Sequence, residues 1–245
     1  MEKAVKENFI PIVPPVMIKA DSLSKMGYID TPEDLAERYY LDQKDMFLVG
    51  TAEQSVGPMH QEEVFEVKDL PKRYVAFSTS FREEAGSYGK DTRGILRVHQ
   101  FDKVELFSYA HPDTSKDEHE FLISFEEGLW KDLDIPYQVV QLATGDMSRP
   151  SASTVDIEAW LPGQGKYREV SSASNTTDYQ ARRLNIRYKE KGNYGFVHML
   201  NATGLPIGRT IIAIMENYLK EDGSIEIPKV LQKYMGKKVI EKPIL

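Results

Sequence analysis

The chain has 245 residues, 31 basic and 38 acidic side chains, and a formal net charge of −7. With 41% hydrophobic and 28% charged residues it falls outside the composition of disordered chains, and no apolar run approaches the ~18 residues of a membrane span. It contains no cysteine, which excludes disulfides, thiolate-bound zinc, iron–sulfur clusters and a cysteine nucleophile.

The polar amino terminus favours a helix through Asn8 and has no apolar signal-peptide core, so a cytoplasmic location is expected. Residues 9–13 read as a short apolar strand, ended by Pro14 and Pro15 because proline cannot donate to a sheet ladder. Strands at 73–82 and 97–108 flank a glycine-punctuated loop at 83–94, which predicts an antiparallel hairpin with a long tip. A helix spans 113–134, with Leu122, Phe125, Leu129 and Leu133 on one stripe. Strands follow near 136–142, 153–161, 166–173 and 194–201. A last helix starts at Pro206, a residue favoured in a first turn, with an apolar stripe of Ile207, Ile211, Ile214, Met215 and Tyr218. The lysine-rich run at 237–242 reads as a frayed tail. Strands outnumber helices without strict alternation. The class is therefore α+β with a largely antiparallel sheet, in one domain covering residues 1–245.

Charge is uneven, acidic over the first two-thirds and basic over the rest, which does not suit bulk electrostatic binding of a duplex. The five histidines form no HExxH pair, so no zinc is expected. No GxGxxG or complete phosphate loop is present. The 97–108 segment is more informative. Alternation puts Arg97, His99, Phe101, Lys103, Glu105 and Phe107 on one face. Arg97, Phe101 and Glu105 then stand roughly 13 Å apart in turn, a guanidinium, an aromatic platform and a carboxylate in line. Arg82 and Glu84 follow the partner strand, Glu169 precedes a run of hydroxyls, and Arg209 lies in the first turn of the last helix. Arginines recognise phosphate through their planar fork, and magnesium takes one or two carboxylates plus phosphate oxygens. Together these residues describe a triphosphate clamped on an antiparallel sheet.

The run from Phe81-Arg82-Glu83-Glu84 through Arg97-Val98-His99-Gln100-Phe101-Asp102-Lys103-Val104-Glu105 resembles motif 2 of the seryl-tRNA synthetase catalytic domain, a class II aminoacyl-tRNA synthetase. Asn201-Ala202-Thr203-Gly204-Leu205-Pro206-Ile207-Gly208-Arg209-Thr210 resembles motif 3. Thr51-Ala52-Glu53 resembles the serine-binding loop, and Arg168-Glu169-Val170-Ser171-Ser172 the ATP-side strand. Asp178-Tyr179-Gln180-Ala181-Arg182-Arg183 also matches, and the similarity runs from Phe9 to about Gly236.

The resemblance implies a class II antiparallel sheet flanked by helices, and an activity: serine and ATP give seryl-adenylate and pyrophosphate, then serine passes to tRNA(Ser). It implies Arg82, Arg97 and Arg209 as catalytic residues, with Arg82 on the α-phosphate and Arg97 bridging the substrates. ATP would meet Arg82, Glu83, Glu84, Phe101, Glu169, Val170, Ser171, Ser172 and Arg209, with Phe101 stacked on adenine. Serine would meet Thr51, Ala52, Glu53, Arg82, Glu105, Asn201 and Thr203. Mg²⁺ would be held by Glu169 and Ser172, and Lys90 and Arg93 would reach the tRNA acceptor end. The family's amino-terminal coiled-coil arm has no counterpart here, and only the end of motif 1 is represented, through which a homodimer is implied. The family often has glycine at the position of Ala202, which would put a methyl beside the serine pocket, and cysteine at that of Ala173. Serine adenylation for another acceptor, such as a carrier protein, and a non-catalytic synthetase-like domain are the alternatives.

Overall fold

The computed structural model describes residues 1–84 and 94–242. A helix, α1 (Glu2–Lys6), passes through Asn8 in a left-handed conformation into strand β1 (Ile10–Ile12). The helix is shorter than its composition predicts because Asn8, a residue tolerant of positive φ, turns the chain. Short elements follow: β2 (Met17–Lys19), α2 (Ala20–Lys25), α3 (Pro32–Ala36), β3 (Tyr40–Leu41), β4 (Met46–Leu48), α4 (Glu53–Val56) and β5 (Val64–Glu66). Two long strands, β6 (Lys72–Phe81) and β7 (Gln100–Ala110), then form the expected antiparallel pair. The remaining elements are α5 (Ser115–Asp132), β8 (Tyr137–Gln141), β9 (Ser153–Leu161), β10 (Lys166–Asn175), α6 (Tyr179–Leu184), β11 (Arg187–Glu190), β12 (Asn193–Phe196), β13 (His198–Pro206), α7 (Ile207–Tyr218), β14 (Ile225–Glu226), α8 (Lys229–Met235) and β15 (Val239–Ile240). Among the described residues no helix is long and apolar enough to cross a membrane.

The large sheet has the order β1-β6-β7-β13-β10-β9-β8. Only β1 joins in parallel, on β6; the other neighbours are antiparallel. The α+β class with an antiparallel-dominated sheet flanked by helices is what the chain adopts. One face packs on α5, where Leu122 and Phe125 meet Val75, Leu106 and Leu200. Trp130 of the same helix, which the predicted stripe omits, packs with Ile157 and Ala159. On the other face, Phe107, Tyr109 and Met199 are covered by Ala52 and Val56 from the α4 segment and by Ala181 and Leu184 of α6. Following β7 back along that face, Lys103 and Glu105 lie buried at the margin of the cover and Phe101 is only partly buried. The site opens where the cover ends.

Four sequence expectations are corrected. The segment expected as one strand at 97–108 begins its ladder only at Gln100, so Arg97 and His99 lie in the bend before it. The single strand near 194–201 is two, β12 and β13. The stripe of α7 is rotated: Thr210 and Ala213 are buried, while Ile211 and Met215 are 42% and 48% exposed. The 237–242 run is no frayed tail, because Val239 and Ile240 pair with Glu226 and Ile225. The loop tip with Lys90 and Arg93 lies outside the described residues.

Candidate active site

Two cavities open side by side on the uncovered end of the sheet face, sharing Arg82, Lys103, Glu169 and Thr203. Arg82 directly follows β6. Its backbone N–H donates to the His99 carbonyl (2.9 Å) and its Nε to the Gly50 carbonyl (3.3 Å). The guanidinium lies 5.3 Å from the centre of the Phe101 ring. The first cavity adds Glu84, Arg97, Phe101, Val170 and Arg209. There Arg97 is ion-paired with Glu84. Arg209 donates from Nη1 to the Glu169 carbonyl (2.7 Å) and from Nε to the Leu96 carbonyl (3.4 Å). Three guanidiniums thus line one cavity with Phe101: Arg82 is held by a backbone carbonyl, while Arg97 meets the Glu84 carboxylate and Arg209 lies 3.5 Å from Glu169 Oε2.

The second cavity is a polar chamber containing Thr51, Glu53, Glu105, Ser172 and Asn201. Glu53 is 3% exposed; its Oε1 accepts from Gln180 Nε2 (2.9 Å) and its Oε2 from the Tyr28 hydroxyl (2.6 Å). Burial raises its pKa against those bonds. Glu105 is pushed up to about 7 by burial, with the adjacent Lys103 opposing the shift. Thr203 stands opposite Glu105 in the β7–β13 register, and the bulge between Thr203 and Leu205 tilts β13 at this point. The Glu53 and Glu105 carboxyls stand in one chamber with Arg82 and Lys103, so charges of both signs are offered to the two ends of a zwitterion.

A second bulge, between Glu169 and Ser171, interrupts the β9–β10 ladder. Asp156 stands opposite Ser172 across it, and burial together with the charge of Glu169 pushes its carboxyl up to about 6. Among the described residues no cluster of three or more His, Cys, Asp or Glu could hold a metal unaided. The donor set of Asp156, Glu169 and the Ser172 hydroxyl instead fits a hard cation completed by phosphate oxygens, as magnesium prefers.

Most expected site residues converge on these cavities. Three do not. Ala52 is fully buried in the core with Val56 and Met199, while Thr51 and Glu53 on either side of it line the chamber. Ser171 points to the α5 side and accepts from Trp130 Nε1 (3.2 Å). Glu83 lines neither cavity, and its backbone N–H donates to the Glu37 carbonyl. The Ala202 methyl is also not beside the polar chamber: it points with Leu106 and Ala173 into the core under α5. Tyr28, Arg38, Lys103 and Asp156 went unassigned in the sequence. Alternation already put Lys103 on the face of Glu105, whereas no pattern marks Tyr28 or Arg38.

A family model described as the tRNA synthetase class II core domain (G, H, P, S and T) matches residues 39–218. The chain belongs to this family. Within the class II core family, a serine–tRNA ligase of Thermobifida fusca is 46% identical over 241 residues, 98% of this chain and 56% of the relative. The chain thus spans about half the length of the curated relatives it matches. A crystal structure of seryl-tRNA synthetase from Pyrococcus horikoshii complexed with ATP superposes with a TM-score of 0.95 at 46% identity, covering 99% of this chain and 54% of that one. The cytoplasmic serine–tRNA ligase of Naegleria fowleri in complex with AMP gives 0.92 at 36% identity, covering 99% and 57%.

Proposed function

We propose that this chain activates L-serine with ATP and transfers it to the acceptor end of tRNA(Ser). The observation that carries the reading is Arg82, among the described residues the one arginine that lines both the aromatic, arginine-rich cavity and the polar chamber. The first cavity suits ATP, with Phe101 under the base and Arg97 and Arg209 toward the phosphates. The second suits serine, with its ammonium at Glu53 and Glu105 and its hydroxyl among Thr51, Asn201 and Thr203. A site that pairs a hydroxyl rejects alanine, because its polar groups would be left without partners.

The serine carboxylate is already ionised at neutral pH and needs no general base. One of its oxygens attacks the α-phosphorus; the bond from that phosphorus to the β-phosphate oxygen breaks, and pyrophosphate leaves with the electron pair. The protein's work is to hold two anions in line and to stabilise charge on the phosphate oxygens, which Arg82 is positioned to do. Glu169 and Ser172, with Asp156 opposite, would hold Mg²⁺, which when bound offsets phosphate charge. The edge strand β1, beside exposed Ile10, Val13 and Phe77, suits a homodimer contact. A cytoplasmic setting agrees with this chemistry.

Serine-dependent exchange of labelled pyrophosphate into ATP tests the reading. Exchange should be selective for serine over alanine, threonine and glycine, and Arg82→Ala should lower it by about 10²–10³-fold or more. Folded protein without exchange would refute the activity, and an unchanged Arg82→Ala rate would refute the phosphate role.

A further inference from the structure

Arg38 is a chamber residue that the motifs do not account for. Helix α3 begins with a capping box, in which Asp34 N–H donates to Thr31 Oγ1 and Thr31 N–H to Asp34 Oδ2, both at 3.1 Å, with Pro32 in the first turn. This short, well-started helix delivers Arg38 to the rim of the polar chamber, which it lines together with Thr51, Glu53 and Glu105. The side chain does not line the arginine-rich cavity.

Its guanidinium stacks 5.3 Å from the centre of the Tyr28 ring, the tyrosine whose hydroxyl donates to Glu53. A methyl at Gly50 would come within 2.5 Å of Arg38 Nη1. The Gly50 carbonyl is also the acceptor for Arg82 Nε. Two guanidiniums therefore converge on one backbone residue at the wall of one chamber. Burial lowers the Arg38 pKa and the charge of Arg82 adds to the shift, while Tyr28, Asp34 and Glu37 oppose it. Among the described residues Arg38 Nε is buried without a hydrogen-bond partner. An arginine cannot shed its proton, so a partly buried guanidinium whose Nε lacks an acceptor and which faces a second guanidinium gains from an anion that joins the two.

We infer that Arg38 is a second carboxylate-binding arginine of the polar chamber, sharing with Arg82 the negative end of a zwitterionic amino acid. The inference rests on the proposed amino-acid activation and adds a contact to it. The ligand chemistry is an oxyanion. Placement selects the amino-acid carboxylate over the nucleotide phosphate, because Arg82 reaches both cavities and Arg38 only the chamber that holds Glu53 and Glu105. The chamber then has two poles: carboxylates for the ammonium, and paired guanidiniums for the carboxylate. Lys in place of Arg38 would keep the charge but lose the planar fork and the stack on Tyr28.

The test uses the full 245-residue chain and the variants Arg38→Met, Arg38→Lys and Gly50→Ala. The last leaves Arg38 in place and displaces its head with a methyl. In pyrophosphate exchange, Arg38→Met should raise the serine KM about tenfold or more, with the ATP KM held within about twofold. Serinamide, which keeps the ammonium and hydroxyl but lacks the carboxylate, should inhibit wild type and Arg38→Met with the same constant. Gly50→Ala should reproduce the rise in serine KM, and Arg38→Lys should recover part of it. An unchanged serine KM in Arg38→Met overturns the inference, as does a parallel rise for serinamide, which marks a packing role through Tyr28. A rise confined to the ATP KM assigns Arg38 to phosphate and equally overturns it. Calorimetric titration of serine separates the two claims: binding to wild type but not to Arg38→Met, without exchange in either, leaves Arg38 assigned and removes the activation reading. Equal binding, or none to wild type, removes the Arg38 assignment.

Discussion

Lys103 Nζ lies 2.6 Å from Glu105 Oε2, two residues apart on β7, with both side chains buried. The pair sets the charge at the floor of the polar chamber. Burial pushes the Glu105 carboxyl up to about 7, Lys103 pulls it back, and Glu53 pushes it further up.

A pH signature follows. The Glu105 carboxyl binds its proton more tightly folded than unfolded, so its contribution to stability falls as pH rises from about 4.5 to about 7. Recognition of an ammonium needs the ionised form, so serine affinity should rise over the upper part of the same range. Thermal melts of wild type and Glu105→Gln between pH 5 and pH 8 should show wild type losing stability relative to the variant. The wild-type serine KM should fall with pH, and Lys103→Met should move that fall to higher pH. Parallel melting curves for wild type and Glu105→Gln would contradict the assignment.

Phe101→Ala should weaken ATP and spare serine. Phe101 lines only the arginine-rich cavity, with Arg82 5.3 Å from its ring centre. Base stacking on an aromatic side chain contributes roughly 1–3 kcal/mol, so the ATP KM should rise by about 5-fold to 160-fold. Steady-state exchange with each substrate varied in turn reads the split.

Asp156→Asn should raise the magnesium concentration for half-maximal exchange by about tenfold. Asp156 faces Ser172 across the β9–β10 pair, and the Glu169–Ser171 bulge lies next to it. A metal titration at saturating ATP and serine measures the effect. Identical titration curves would confine the cation to Glu169 and Ser172.

Arg73→Ala should unfold the protein more easily without touching either substrate. Arg73 donates from Nε and Nη2 to the two Glu118 oxygens at 2.7 and 2.6 Å, Ser108 Oγ adds a third bond at 2.7 Å, and the guanidinium stacks 4.1 Å from the centre of the Phe121 ring. Glu118 is only 5% exposed, so removing its partner strands a buried charge at a cost of about 3–5 kcal/mol. The Lys3–Asp132 pair is much more exposed, and Lys3→Met should cost about 1 kcal/mol or less. Urea denaturation of the two variants compares them directly.

Strand β9 was legible because its burial alternates along the chain. In β9, Val155, Ile157, Ala159 and Leu161 alternate inward, and the expected limits of 153–161 match. Alternation failed before Gln100 because the pattern of residue types continues past the point where the backbone bends away. It failed for α7 because apolar residues occur nearly all round it. There the buried face carries Thr210 and Ala213, and Asn217 Nδ2 ties the helix to the Trp160 carbonyl. The charged site residues were found through motif spacing, but spacing does not say which way a side chain points. Ala52 and Ser171 were therefore drawn in by their neighbours. Tyr28 and Arg38 come from a stretch whose helices have only five or six residues, too few for a period to emerge.

Among the described residues a single guanidinium, Arg82, forms part of the wall of both cavities. If each holds an anion, their occupancies are not independent events. Whatever factor a nucleotide imposes on the affinity for the amino acid, the amino acid must return in equal measure to the nucleotide. The β6 terminus is then a thermodynamic relay as well as a contact, and its sign is readable by titrating either partner in the presence of the other.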